Sequence, residues 1–323
     1  MARYLIGRIA GIVAVLAVMS FVIYGLIGLM PGDPIDLMIQ ANPQLTPADG
    51  ERLKELYGLN VPIWERYLNW LGDVARGDFG YSRTYNRPVL DILGPRLGNT
   101  LILLGIATVL AICLSIPLGV FAATRPRSRR DHGINLFCFA GISIPPFWFA
   151  ILLILGFAVG LDLFPASGVT SIGGGGIADR AIHLVLPVTA LTLASLAGHT
   201  RYMRAAMIET LRADFIRTAQ AKGLSTRRVV WGHGLRNALL PLVTVIALDF
   251  GTLFSGALIT ETVFGYLGMG KTIYDAILSN DFNLAMIAMM MATVVVLVGN
   301  FLADIGYAAL DPRISYRSAE ALA

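Results

Sequence analysis

The eight residues "GYLGMGKT", Gly265 to Thr272, match the pattern G-x-x-x-x-G-K-[ST] at every required position. That spacing suits phosphate chemistry: the glycine-rich backbone cradles phosphates, the lysine reaches the terminal ones, and the hydroxyl ligates magnesium. Such a loop works where it follows a buried strand and opens a helix in a soluble α/β domain. Here it lies between two long apolar stretches, and no polar stretch is long enough to build that domain. The glycines read instead as support for a tight re-entrant turn. Metal and thiol chemistry gain no support either. His132, His183, His199 and His233 are scattered singly, and Cys113 and Cys138 lie inside apolar runs.

The elements around this loop belong to a membrane. The 323-residue chain is 56% hydrophobic and 14% charged, against roughly 25% charged in ordinary soluble domains. A spanning helix needs about 20 mostly apolar residues. Six segments qualify: Ile9 to Met30, Thr100 to Ala123, Ile134 to Gly160, His183 to Tyr202, Leu239 to Thr260, and Leu284 to Ala308. The first has a basic start, Arg3 and Arg8, but its apolar core is too long for a signal peptide. No small-x-small cleavage site precedes Pro31, so it reads as a retained helix.

Lysine and arginine set the orientation. With the N-terminus in the cytoplasm, most of the 25 basic residues fall inside: Arg3 and Arg8, the cluster Arg125 to Arg130, the cluster Arg201 to Arg236, and Arg313 with Arg317. Most of the rest lie in a long outer segment that is largely exempt from the rule. The expectation is an all-α polytopic membrane protein with six transmembrane helices and both termini cytoplasmic. Residues 1–30 form the start and first span, 31–97 an extracytoplasmic segment, 98–308 a five-helix core, and 309–323 a cytoplasmic tail. Gly265 to Thr272 then falls on the outer side, where a cell keeps no ATP.

Within the core, Arg204 to Pro241 is neither membrane nor linker. Met203, Met207, Leu211, Phe215 and Ala219 recur every four residues, which predicts one apolar stripe on a helix continuing from the fourth span. Gly223 permits a turn, and Ser225 is a good N-cap for a second helix, with Leu224 and Val229 placed as a hydrophobic staple. That second helix carries Arg227, Arg228 and Arg236 and is expected to end as Pro241 leads into the fifth span. The result is a knob with an apolar face and a basic rim, tied to two spans. A basic amphipathic helix on anionic lipid has the same composition. The staple and hinge favour a folded protein-docking element.

These stretches carry a resemblance. "LMPGDPIDLM", "YGLNVPIWERYLNWLGDVARGDFGYS", "GISIPPFW", "DFIRTAQAKGL", "LRNALLP" and "NFLADIGYAALDPR" occur in the order found in the B-type permease subunit of dipeptide/oligopeptide/nickel-type ABC importers. The chain resembles that family over nearly all its length. The resemblance implies a type I ABC-importer permease architecture and half of a translocation pathway in a bacterial inner membrane. It implies a homologous second permease, two ATP-binding subunits that carry ATP and magnesium, and an extracytoplasmic substrate-binding protein. No cofactor, catalytic activity or nucleic-acid partner is expected on this chain. An ATPase-coupling loop is implied for Arg212, Asp214, Arg217, Thr218, Ala219, Lys222, Gly223, Arg227, Arg228, His233 and Arg236. Arg217 stands where the broader group has a glutamate, as the peptide-type branch does. Gly232 and Gly234 flank His233 where the family commonly has Arg and Ala, so the helix is expected to end or bend there.

Intramembrane charge marks function by default. Asp249 is a candidate for lining the pathway, with a buried, hydrogen-bonded carboxylate as the alternative. Glu261 is a candidate for an outer gate. Asp304 reads as structural, with Arg201 or Arg204 in reach. Pro145 and Pro146 are expected to kink or break the third span. In the outer segment, one helix is expected from Thr46 to Gly58. A second should start near Pro62 and carry Trp64, Tyr67 and Trp70. The segment reads equally as a receptor for the binding protein and as a structural cap. Gly173 to Gly176 reads as flexible linker. A stand-alone ion- or proton-coupled transporter is the rival reading; it predicts an inverted repeat, and no clear repeat relates the halves.

Overall fold

The computed structural model describes residues 2–29, 46, 52 and 61–310. Inside the helices, the side chains of residues 2–5, 244, 247–250, 252, 253, 303, 304 and 306–310 are not among those described. The chain divides into one unit of residues 1–97 with 271–297, and another of 98–270 with 298–323. It is predominantly helical. The elements are α1 (Ala2–Gly28), α2 (Ile63–Ala75), β1 (Tyr81–Ser82), β2 (Arg87–Pro88), α3 (Val89–Thr124), α4 (Arg129–Ser143) and α5 (Pro146–Leu153). They continue with α6 (Ile177–Thr210), α7 (Asp214–Ala221), α8 (Leu235–Val263), α9 (Met269–Leu278) and α10 (Phe282–Leu310). The all-α expectation holds apart from one short antiparallel hairpin, β1–β2.

Among the described residues, Ile6–Gly28, Val89–Thr124, Ile177–Thr210 and Phe282–Leu302 are long and apolar enough to cross a membrane. The pair Arg129–Ser143 and Pro146–Gly160 qualifies as a fifth if taken as one span, bent by 100°. Helix α8 covers the stretch expected as the fifth span. Helix α3 starts well before Thr100 and has 36 residues, about 54 Å of helix, which overshoots a hydrocarbon core of about 30 Å.

In the first unit, α2 starts directly after Pro62 and packs on α1. The Ser20 and Tyr67 hydroxyls are 2.7 Å apart, and the rings of Tyr24, Tyr67 and Trp70 lie 5.5–6.1 Å from one another. The helix expected from Thr46 to Gly58 falls almost entirely outside the described residues. Asp281 organises the rest. Its carboxylate, 1% exposed, accepts from the Ser82 hydroxyl and the Thr84 N–H (2.9 Å), and receives the Leu284 N–H as a helix cap (3.3 Å). One carboxylate thus seats the hairpin and starts α10.

In the second unit, α6 is the central post, packed on α4, α5 and α8. Small residues allow the close approaches. A Cβ on Gly119 of α3 would come 2.6 Å from Met203 Cβ, and one on Gly141 of α4 would come 3.4 Å from Ala197. Val120, Ala123, Met203, Met207, Val230, Ala238 and Leu242 form the core where α3, α6 and α8 converge.

Among the described residues, the helical backbone is interrupted or widened at several places. The third span breaks at Pro145: Ile144 N–H still bonds the Ala140 carbonyl (3.2 Å), and α5 begins with Pro146. Helix α5 then widens into a π-helical stretch, Ile154–Gly160. A second π-helical stretch, Val229–Gly234, leads into α8. The glycine run 173–176 is not simply flexible linker. Gly174 N–H bonds the Ser171 carbonyl (2.9 Å), and Ser171 donates through N–H (3.0 Å) and hydroxyl (2.7 Å) to Asp179.

Gly119→Ala is expected to lower stability by about 1–3 kcal/mol through overpacking against Met203. Gly105→Ala, where nothing lies within 4 Å of the added carbon, should be neutral or slightly stabilising. Thermal unfolding of the two variants in detergent checks the contrast.

Candidate functional site

The segment between α6 and α8 folds as a helical knob. Helix α6 stops at Thr210, and the N–H groups of Arg212 and Ala213 turn back onto the Glu209 and Thr210 carbonyls (3.1 Å each). Helix α7 is therefore separate, which corrects the single continuous helix expected from the four-residue stripe. The break resets the helical phase. Phe215 is 43% exposed, while Ile216 and Ala219 face inward at 1% and 6%.

Lys222 caps α7, and Gly223 follows with φ +76°. Leu224 N–H bonds the Ala219 carbonyl (3.4 Å) and Gly223 N–H the Gln220 carbonyl (2.9 Å). These paired bonds, with Leu224 packing back on Ile216, Ala219 and Val229, form the glycine-terminated Schellman arrangement. Ser225 occupies the N-cap position but makes no side-chain cap bond. After one turn, Thr226–Arg228, the chain enters the π stretch and runs straight on through Pro241 within α8. The second helix thus neither ends at the glycines nor stops at Pro241. Gly234 fits against the end of α6, where a Cβ would lie 3.3 Å from Leu211 and 3.4 Å from Met207.

The candidate coupling residues fall on this one element. Arg212, Asp214, Arg217, Thr218, Lys222, Gly223, Arg227, Arg228, His233 and Arg236 are exposed on it, together with Phe215 and Trp231. Ala219 packs inward instead. Arg217 and Asp214 approach to 3.4 Å at 76% and 95% side-chain exposure, a pairing worth little. The exposed face is thus basic with two aromatic side chains. A cavity of about 290 Å³, lined in part by Thr124, Pro126, Ile208, Arg212, Gln220 and Thr226, separates part of the knob from the ends of α3 and α6.

A buried ion pair anchors the base of α6. Arg204 meets Asp131 in a two-point fork, Nε to Oδ1 at 2.6 Å and Nη2 to Oδ2 at 2.7 Å. Asp131 also accepts from the Asn135 side chain (2.7 Å) and the Arg127 N–H (2.8 Å). Its side chain is 4% exposed and that of Arg204 26%. Arg204 is therefore committed to Asp131 rather than Asp304, whose side chain lies outside those described. Arg201 stacks its guanidinium 5.2 Å from the centre of the Phe139 ring. The pattern Ser128-x-x-Asp131 was legible as a helix start; its partner on α6 was not.

The turn after α8 wraps a carboxylate. Glu261 is fully buried and accepts from the Thr100 hydroxyl at 2.5 Å, while that same oxygen accepts the Met269 N–H at 2.8 Å. A side chain on Gly268 would collide with the Glu261 carboxylate, and one on Gly270 with Leu258. Asn99 donates to the Leu267 carbonyl at 2.8 Å, and Gly265 adopts φ +56°. Burial, then the nearby Glu261 charge, pushes the Tyr266 phenol up to about 12. Lys271 is ion-paired with Asp275 at 2.8 Å, and Thr272 is 2% exposed. The glycines of the P-loop-like pattern thus pack around a carboxyl group of their own chain. Asp249 is in α8 with its side chain outside those described.

Residues 115–316 match the family of binding-protein-dependent transport system inner membrane components, and residues 1–104 match the N-terminal part of such membrane components. The oligopeptide transport system permease protein AppB of Bacillus subtilis (strain 168) is 42% identical over 318 residues, covering 98% of this chain and 100% of that one. The oligopeptide transport system permease protein OppB of Mycobacterium tuberculosis (strain ATCC 25618 / H37Rv) is 39% identical, covering 97% and 99%. The di/tripeptide transport system permease protein DppB of Pseudomonas aeruginosa (strain UCBPP-PA14) is 37% identical, covering 91% and 93%. A chain of the MetNI methionine ABC transporter in inward-facing conformations superposes with a TM-score of 0.56 at 18% identity, over 69% of this chain and 98% of that chain. That likeness concerns the fold. The chain belongs to the family of binding-protein-dependent transport system inner membrane components, as a permease subunit of the ABC-importer class. These matches favour that reading over a stand-alone ion- or proton-coupled carrier.

Asp131→Asn and Arg204→Gln should each cost about 2 kcal/mol, since each leaves a charged or polar partner short of its hydrogen bonds. The double variant should cost little more than either single one, and a double-mutant cycle on chemical unfolding reads the coupling. Tyr266 should remain mostly a neutral phenol at pH 11, where a free tyrosine is mostly ionised, so the ultraviolet difference between the protein and Tyr266→Phe shows little tyrosinate there. With the folded phenol near 12 and the unfolded one near 10, its contribution is complete below pH 10 and fades as pH rises towards 12.

Proposed function

We propose that this chain forms half of the translocation pathway of an ATP-driven peptide importer. The relatives' names support peptides as the cargo class. In this reading six helices span the inner membrane of a bacterial cell with both termini in the cytoplasm. A homologous second permease completes the pathway, two ATP-binding subunits supply ATP hydrolysis with magnesium, and a substrate-binding protein delivers cargo from outside. No reaction is catalysed on this chain itself.

The observation that carries the proposal is the knob. Its inner face is closed by Ile216, Ala219, Leu224 and Val229, while its outer face presents Phe215, Trp231 and a ring of arginines. It joins α6 through the short turn at Leu211 to Ala213 and runs on helically into α8. A protein partner that grips it moves both helices, which is what alternating access requires. Reversing a two-state equilibrium from 1:99 to 99:1 takes about 5.5 kcal/mol of differential binding, a load one rigid element can carry to two spans. A lipid surface would not need the Schellman turn, the staple-like cluster or the buried ion pair behind it.

Gly223 is the residue to change. Proline cannot adopt φ +76° and lacks the N–H bonded to Gln220, so Gly223→Pro should disrupt the turn. Gly223→Ala meets nothing within 4 Å and carries only a left-handed backbone penalty of about 1–2 kcal/mol. Affinity purification from native membranes should bring down a second permease and ATPase subunits with the unaltered protein and with Gly223→Ala. The ATPases should be lost from Gly223→Pro while the second permease remains. Purification of the unaltered protein alone, with ATP-independent uptake in liposomes, would refute the proposal.

A further inference from the structure

The break in the third span lies near the middle of that span, where irregular backbone is tolerated only against protein or a water-filled cavity. The break leaves more backbone acceptors than donors, since of the N–H groups in the first turn of α5 only those of Phe147 and Trp148 exist. In an unbroken helix the Gly141 and Ile142 carbonyls would receive the N–H groups of residues 145 and 146. Both positions are proline, so neither donor exists. Ser143 adds a third acceptor, because its hydroxyl hydrogen is committed to the Phe139 carbonyl (2.8 Å).

Gly141 and Ile142 border a cavity of about 140 Å³ lined also by Ile144, Pro146 and Phe149, with Ala190, Leu193 and Ala194 of α6 opposite; Ser143 lies beside it, outside the lining. That is room for roughly four waters, at about 30 Å³ each, or for one end group of a larger solute. The wall is otherwise apolar, and no ionisable side chain lines it. Ile142 and Ser143 are exposed. Hydrocarbon cannot satisfy the carbonyls, so contact with lipid would cost several kcal/mol.

We propose that this break is a transit subsite for the hydrogen-bond donors of a peptide cargo, its ammonium or amide N–H groups, recognised by the backbone carbonyls of Gly141 and Ile142. The inference rests on the peptide reading above and deepens it. A carbonyl pair reads the feature that all peptides share and ignores side chains. Without a fixed carboxylate it holds an ammonium weakly, as a site that must release its cargo requires.

The test uses the assembled transporter in native membranes, with Cys113→Ala and Cys138→Ala as background. Ile142→Cys and Ser143→Cys are introduced singly, and Leu136→Cys, 72% exposed on the same helix and away from the cavity lining, serves as the control. The probe is a membrane-impermeant, cationic methanethiosulfonate. Residues 142 and 143 should react and the control should not. A transported peptide at about ten times its Kd should slow the reaction roughly tenfold. Labelling that is absent, or unchanged by every solute the membranes take up, overturns the subsite, as does ready disulfide cross-linking of position 142 to the second permease. If labelling occurs and a non-peptide solute taken up by these membranes protects instead, the subsite stands and the peptide reading falls.

Discussion

A backbone carbonyl or N–H in hydrocarbon must find a partner within the protein, and that requirement bears on each proline and each widened turn in the described apolar helices. The helices obey it residue by residue. Proline at 187 and at 241 is carried inside α6 and α8 without ending them. The π stretches keep the bonding ladder running while advancing the register. At Pro145 and Pro146 two donors are missing in succession, and there the helix bends by 100° rather than continuing. Where a carbonyl is left over at such a depth, the surroundings must be wet or polar.

Close packing and charge do the complementary task of fixing the helix ends. Gly119 lets α3 approach the backbone of α6 at Met203 and Arg204, and Asp131 fastens Arg204 from α4. Next along the chain is the knob. The Gly119 contact and the forked ion pair fix the end of α6, Val230 and Gly234 seat the knob against that end, and the Gly223 turn sets the knob's own shape. An ion pair with one partner buried and the other about a quarter exposed contributes little net stability over an apolar substitute. Its value lies in geometry, since the fork fixes the angle of the α6 end.

Much of this was legible in the residue order. The apolar runs located the helices, the basic clusters grouped on one set of connections, and Gly223 marked a turn. The phase of α7 was not legible. Nothing between Leu211 and Ala213 announces a break, because neither glycine nor proline is present, and Ala213 at the cap position offers no side-chain acceptor. A four-residue rhythm therefore ran on across a boundary, and the buried residue moved from Phe215 to Ile216. The partner of Arg204 was equally hidden. Asp131 lies 73 positions away, and only the meeting of α4 and α6 selects it. The hairpin β1–β2 was too short to leave a period.

The buried Glu261 bears on how nucleotide signatures are read. A carboxylate and a phosphate are both anions that want backbone close by and no side chain in the way, and both select glycine around them. In this chain Gly268 and Gly270 make room for Glu261, whereas Lys271 answers to Asp275 and Thr272 is simply buried, so the glycines and the Lys-Thr pair of the pattern have separate causes. What sets this turn apart from a phosphate loop lies upstream: an acidic residue four positions before the first glycine, at the end of an apolar run.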